Sequence, residues 1–226
     1  MTTVFIISAP SGSGKSTLVK EIRKRVQNLE FSISYTTRPP RGSERDGQEY
    51  FFITRVKFEQ MIAKGEFLEY AEVYGEDYYG TARRFLEQAE QGGSDLLLDI
   101  DVQGADEIRR KIPESISIFV LPPNRAELER RLRERGQNSD AVIRQRLEAA
   151  GREIENYGKY GYILVNDRLD ESVKALEAIL LSERLRRLDR SDAALNTTAK
   201  SYRLENVRER LQPILQSFGK TAASVK

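Results

Sequence analysis

The apolar residues of this chain form short runs that alternate with amphipathic stretches of helical period. Val4 to Ser8 is a run suited to a buried strand. A Gly/Ser loop follows from Pro10 to Gly14, and Lys15 to Val26 reads as a helix with Leu18, Ile22 and Val26 on one face. Phe31 to Thr37 alternates, with Phe31, Ile33 and Tyr35 on one side and Ser32, Ser34 and Thr36 on the other. Arg38 to Gly47 is polar and turn-rich, and Glu49 to Ile53 reads as another strand. Lys57 to Lys64 reads as a short helix that Gly65 closes. Phe67 to Val73 alternates again and is expected to end at a turn, Tyr78-Tyr79-Gly80.

The second half repeats the rhythm. Ala82 to Gln91 is helical and capped by Gly92-Gly93; Leu96 to Ile100 is a buried strand; Ala105 to Lys111 is helical; Ile116 to Leu121 is a strand before Pro122-Pro123. Ala126 to Arg135 and Ala141 to Asn156 read as two long charged helices around a polar turn at Gly136 to Asp140. Tyr162 to Val165 is a strand and Leu169 to Arg187 a helix. Strands alternating with helices predict an α/β fold with a parallel sheet covered on both faces. The stretch 31–81 breaks the alternation and reads as an inserted subdomain. Residues 190–226 read as an add-on, with one amphipathic helix at Leu204 to Leu215 and a Gly/Ala/Ser tail expected to be disordered.

Composition narrows the chemistry. The 226 residues suit one α/β domain with appendages. No apolar run approaches the ~20 residues a membrane helix needs, and a signal peptide would leave no room for the first strand. Cysteine and histidine are both absent from the sequence. That removes disulfides, thiolate or imidazole metal sites and histidine proton shuttles. The net charge of +2 argues against a dedicated nucleic-acid binder. Lys, Arg, carboxylates, hydroxyls and backbone groups remain to do any chemistry.

The strongest local signal is Ala9-Pro10-Ser11-Gly12-Ser13-Gly14-Lys15-Ser16. It fits the P-loop pattern except that Ala9 replaces the leading glycine. Glycines let the backbone wrap a phosphate, and the following helix N-terminus adds free N–H groups and a positive dipole. Lys15 would reach the β- and γ-phosphates and Ser16 would ligate Mg²⁺. A plain Gly/Ser turn capping a helix would need neither Lys15 nor the flanking strand and helix. The second signal is Leu96 to Asp101, a strand ending in acids. Period two puts Asp99 and Asp101 on one side at the end where parallel sheets bind ligands. One acid would hold Mg²⁺ through water and the other would face an acceptor; strand-terminating turn acids are the bland alternative.

A P-loop implies a nucleotide but no particular reaction. A GTPase switch is one reading: Asp101-Val-Gln-Gly104 fits D-x-x-G, yet no N-K-x-D element occurs. A binding module without catalysis is another. A phosphoryl transferase is the third, and the arginines favour it. Two anionic substrates must be brought together, and guanidinium forks suit that task. Arg38 and Arg41 bracket Pro39-Pro40; Arg131 and Arg135 share a helix face; Arg146 lies on the next helix. Singly, each reads as solvated helix charge. An acceptor phosphate is already an oxyanion near neutral pH, with its second pKa about 6, so no histidine base is required.

The motifs together resemble the bacterial-type guanylate kinase family over roughly residues 3–188. The resemblance rests on Ser8 to Thr17, Ser34-Tyr-Thr-Thr-Arg-Pro-Pro-Arg41, Gly47 to Tyr50, Glu66 to Glu69, Tyr78 to Thr81, Leu98-Asp-Ile-Asp-Val-Gln-Gly104, Arg131 to Gly136, and Val165-Asn-Asp167. It implies a P-loop nucleoside triphosphate hydrolase-type three-layer fold with a mixed GMP-binding insertion and a helical lid. The implied division is a kinase-like region 1–189 (core 1–32, 83–124 and 150–189, insertion 33–82, lid 125–149) and an extension 190–226. It further implies ATP:GMP phosphotransfer, with dGMP as a further acceptor, Mg²⁺ as cofactor and a cytoplasmic setting. No nucleic-acid or membrane partner is implied, and self-association through the tail is left open. Residues matching Arg38, Arg41, Tyr50 and Tyr79 hold the GMP phosphate, with Glu44 in support. Those matching Ser34, Glu69, Thr81 and Asp101 read guanine, with Asp99 beside them. Those matching Lys15, Arg131, Arg135 and Arg146 surround the transferring phosphate. Ala9 to Thr17 and Asn166 lie on ATP, Asn166 near its adenine. Glu69 makes sense chemically: guanine offers two adjacent donors to a carboxylate, and adenine does not. Two features depart from the family pattern, Arg168 after Asn-Asp and the tail from about Arg190. The same chemistry on another nucleotide or a phosphorylated sugar is the runner-up.

Overall fold

A computed structural model describes residues 2–73, 77–134 and 139–219. Two compact units divide the contacts, one from residues 1–6 and 27–116, the other from 7–26 and 117–226. The strands include β1 (Val4–Ser8), β2 (Leu29–Ser32), β7 (Asp95–Asp99), β8 (Ile116–Leu121) and β9 (Tyr162–Val165), in one sheet ordered β2-β7-β1-β8-β9. Parallel pairing sets Phe31 opposite Leu97 in the first unit and Val120 opposite Leu164 in the second. Phe5, Ile6, Ile7, Leu96 to Leu98 and Ile118 to Leu121 are fully buried, as short continuous apolar runs in a covered parallel sheet should be. The α/β class with a mostly parallel sheet is therefore as expected.

The second sheet is mixed and lies wholly in the first unit. Its strands β3 (Tyr35–Thr36), β4 (Phe51–Phe52), β5 (Phe67–Val73) and β6 (Asp77–Ala82) run in the order β4-β3-β6-β5. Pairing is parallel between β3 and β4 and antiparallel for β3–β6 and β5–β6. Helix α2 (Arg55–Ala63) packs Phe58 and Met61 against Phe67 there. Two expectations are corrected. The alternating run 31–37 is two strands, one in each sheet, because period two fixes which way side chains point but not which sheet a strand joins. Tyr78-Tyr79-Gly80 is strand rather than turn. Gly80 is small because Phe58 and Phe67 stack against it: a Cβ there would lie 2.9 Å from Phe67 Cδ1 and 3.0 Å from Phe58 Cζ.

In the second unit, α1 (Lys15–Arg25) and α7 (Leu169–Arg187) pack together, and α7 also backs β9. Helices α5 (Arg125–Glu134) and α6 (Asp140–Ile154) share an apolar cluster of Leu128, Leu132, Ile143, Leu147 and Ala150. A 3-10 turn, Glu155–Lys159, carries the chain onward from α6. The extension holds more structure than its sequence suggests. Besides α9 (Leu204–Ser217) it contains α8 (Ala193–Lys200), which Asp192 caps by accepting from Leu195 N–H at 2.9 Å. That helix has one buried residue, Ala199, so its sequence shows no apolar face. The expected turn at 136–138 and the expected disorder at 220–226 fall outside the described residues. Among the described residues no helix is long and apolar enough to cross a membrane.

Candidate functional site

The phosphate-loop residues lie in the second unit. Ala9 and Pro10 leave β1, and Ser13 N–H donates to the Pro10 carbonyl at 3.1 Å, tightening the turn. Gly12 and Gly14 hold φ of 95° and 87°, where a side chain is strained. Space enforces the same choice. A Cβ on Gly12 would sit 2.8 Å from Leu128 Cδ1, and one on Gly14 would sit 2.3 Å from Asn166 Nδ2. The first turn of α1 presents its N–H groups with Ser11, Ser16 and Thr17 exposed and Lys15 half-buried. Ser13 Oγ is buried with no hydrogen-bond partner among the described residues.

Helix α5 and the end of β9 support this loop. Asn166 is 5% exposed, and its Nδ2 donates to the Ser13 carbonyl at 2.8 Å. Arg131 donates through NH2 to the Asn166 carbonyl at 3.0 Å and through Nε to Glu127 at 2.7 Å. Hydrogen bonds from Arg130, and then from Arg131, hold the Glu127 carboxyl down at about 2. An open cleft of about 340 Å³ lies over Gly12, Gly14, Thr17, Arg131, Asn166 and Leu169. Arg146 is half-buried on α6. Arg135 lies outside the described residues. Sequence patterning did not show that Asn166 grips the loop backbone.

The first unit gathers the remaining candidates. Arg38 is 5% exposed. It donates through NH1 and NH2 to both carboxylate oxygens of Glu44, at 2.6 and 2.8 Å, through Nε to Tyr79 OH at 3.0 Å and through NH1 to the Pro39 carbonyl at 2.9 Å. These four bonds leave one N–H of its five. The Tyr50 ring lies 4.9 Å from its guanidinium carbon. Its hydrogen bonds hold the Glu44 carboxyl below the ordinary range, and Glu44 also accepts from the Arg41 backbone N–H at 2.8 Å. The Arg41 side chain is exposed.

Glu69 on β5 is buried, and Thr81, its partner across β6, donates to Oε1 at 2.5 Å. Burial pushes its carboxyl up to about 7, against the lowering effect of the Thr81 bond, and the Asp101 charge adds to the rise. Helix α4 (Val102–Lys111) lies against it. A Cβ on Gly104 would come within 2.7 Å of Glu69 Oε2, so only glycine allows this approach. Asp101 caps α4, its Oδ1 accepting from Gln103 N–H at 3.0 Å and Gly104 N–H at 2.8 Å. Asp99 is half-buried at the end of β7, and Ser34 is half-buried just before β3, its carbonyl accepting from Phe51 N–H at 2.9 Å. Gly104 was visible only as part of a motif; its contact with Glu69 required the fold.

Among the described residues there is no cluster of three acids able to cage a metal. A hydroxyl at a helix N-terminus beside a phosphate loop, as Ser16 supplies, would suit a hard divalent cation that takes most of its ligands from phosphates and water.

Comparison with known proteins follows the same lines. The family model for guanylate kinase matches residues 1–183. The guanylate kinase of Koribacter versatilis is 53% identical over 223 residues, covering 96% of this chain and 95% of that protein. That of Escherichia coli K12 is 47% identical over 186 residues, covering 81% of this chain and 89% of that protein. The first match reaches into the region after residue 189, since it leaves too little of the chain uncovered to omit it. A crystal structure of guanylate kinase from Anaplasma phagocytophilum aligns with a TM-score of 0.67 at 29% identity, covering 94% of each chain.

Proposed function

The chain belongs to the guanylate kinase family, and from that premise we infer how its residues carry a phosphoryl group from ATP to GMP. The acceptor is a phosphate oxygen of GMP. It forms a bond to the γ-phosphorus as the bond to the β–γ bridging oxygen breaks, and that electron pair leaves with ADP. The reaction asks for positioning and charge neutralisation rather than covalent help.

On the donor side, residues 9–17 wrap the triphosphate with backbone N–H groups, and Lys15 neutralises its terminal oxygens. Arg131, with Arg135 and Arg146, answers the charge that spreads over the transferring group. Asn166 holds the loop that does the wrapping and borders the nucleoside cleft. Ser16 would supply the protein ligand for Mg²⁺, and Asp99 would assist it through water. When bound with ATP, such an ion would screen the phosphate charges.

On the acceptor side, Arg38 is pre-set by Glu44 and Tyr79, and its spare N–H joins Arg41, Tyr50 and Tyr79 on the GMP phosphate. Ser34, Glu69, Thr81 and Asp101 read the base. The observation that carries the guanine assignment is Glu69, buried with one oxygen on Thr81 and the other against Gly104. A buried carboxylate raised this far is stabilised by an acceptor that brings its own pair of donors, and guanine does so. The core 1–32, 83–124 and 150–189 carries this chemistry, and the insertion 33–82 and lid 125–149 shield it from water. A cytoplasmic nucleotide pool is the proposed setting.

A coupled assay of ADP formation with GMP, dGMP, AMP, UMP and CMP tests this reading. GMP is expected to exceed AMP in kcat/KM by about a thousandfold or more, on the scale of sites that hydrogen-bond a distinguishing group. Comparable turnover of AMP would overturn it.

A further inference from the structure

The extension touches the start of helix α5. Ser217, near the end of α9, accepts a hydrogen bond from Arg125 N–H at 3.0 Å through Oγ, and donates to the Ile214 carbonyl at 2.6 Å. Arg125 is the first residue of α5, so its N–H has no partner within that helix. Asn124 covers a second such group, accepting from Glu127 N–H at 2.8 Å. The N-terminus of α5 is thus capped partly from within and partly by a residue 92 positions away. The next residue, Phe218, packs on the cluster that contains Leu128 and Leu132 of α5.

Those two leucines have another neighbour. They are the groups nearest the position of a Cβ on Gly12. The same helix carries Arg131, which bonds the Asn166 carbonyl, and Asn166 in turn bonds the Ser13 carbonyl. Two continuous paths therefore lead from the extension through α5 to the phosphate loop, one apolar and one hydrogen-bonded.

The far end of the extension is also tied down. Ile163 N–H donates to the Tyr202 carbonyl at 2.9 Å, and Leu204 N–H donates to the Gly161 carbonyl at 3.1 Å, along β9. Arg203 donates at 2.9 Å to Glu183, a carboxylate 2% exposed that also accepts from Tyr162 OH and Arg186. The segment 201–219 is thus fixed at β9 and at α5.

We propose that Ser217 and Phe218 are positioning residues for phosphoryl transfer: they seat α5, and through Leu128, Leu132 and Arg131 they set the phosphate loop and its arginine. The proposal rests on the kinase reading above. It assigns the extension to the ATP side and leaves the GMP site untouched.

The test compares the full chain with Phe218→Ala, Ser217→Ala and Phe218→Leu, well below their melting temperatures. Phe218→Ala is expected to worsen kcat/KM for ATP about tenfold, since small displacements of positioning groups cost that much. Ser217→Ala should act in the same direction by less, Phe218→Leu should restore most of the loss, and KM for GMP should stay within about twofold of the full chain. Binding of a non-hydrolysable ATP analogue, followed by calorimetry, should weaken in parallel, and it reads the contact of Ser217 and Phe218 with α5 even if the full chain phosphorylated no GMP. A lower melting temperature with unchanged ATP constants would reduce these residues to structure and overturn the proposal. So would an equal rise in KM for both substrates.

Discussion

Glu69 is where one side chain carries the most functional meaning. Its pKa is pushed up to about 7 chiefly by burial, so the unliganded carboxyl is largely protonated under mildly acid conditions. A carboxyl raised in the folded state favours folding most below its unfolded pKa, and that advantage is lost as pH climbs through about 7. Guanine recognition needs the opposite form, because two donors require an ionised acceptor. KM for GMP in the wild type should therefore rise as pH falls from 8 to 6, approaching about tenfold per unit below the pKa. Glu69→Gln cannot ionise, so its profile should keep only the titration of the GMP phosphate, with pKa about 6. The two profiles should converge toward pH 6; parallel curves would show that Glu69 does not meet the base as a carboxylate. Arg38 is the counterpart on the phosphate side. Its bidentate pair with Glu44 holds a buried guanidinium in one orientation before any ligand arrives. The sequence displays both residues in motifs, but burial of the first and pairing of the second are products of neighbours up to 41 positions away.

Helix α4 and strand β5 meet through contacts that replace a missing strand neighbour. β5 is the edge of its sheet. Lys111 Nζ donates to the Leu68 carbonyl at 2.5 Å, and Glu107 accepts from Tyr70 N–H at 3.3 Å. Side chains from α4 thus satisfy edge groups that would otherwise face water or another chain. The price of that closeness is Gly104. Gly104→Ala should favour the helix by up to about 1 kcal/mol on intrinsic propensity. It should nevertheless raise KM for GMP about tenfold or more and narrow the preference for GMP over AMP, because its Cβ displaces Glu69. KM for ATP should not move. Unchanged GMP kinetics would show that Glu69 can shift without cost. The boundaries of β8, β9 and α7 match the sequence pattern. Helix α8 escaped it because it is short and buries only Ala199.

The molecule as a whole divides its labour between two compact units, one carrying the phosphate loop and the other the acceptor candidates. Each should respond to its own ligand. In thermal denaturation, GMP and an ATP analogue should each stabilise the wild type, by about 2.7 kcal/mol at one hundred times Kd. Lys15→Ala should lose most of the analogue's effect and all transfer while keeping the effect of GMP. Retained transfer would contradict the role given to Lys15. The phosphate loop, the acid-ended strand and most of the order of strands and helices were readable along the chain, because a glycine's φ, a helix cap and a buried run are local properties. The division of 31–37 between two sheets, the packing of Gly80 and Gly104, the hold of Asn166 on Ser13 and the seating of α5 by Ser217 and Phe218 were not. Each of these joins residues far apart in the chain, and distance in space is set by the packed core rather than by any local pattern.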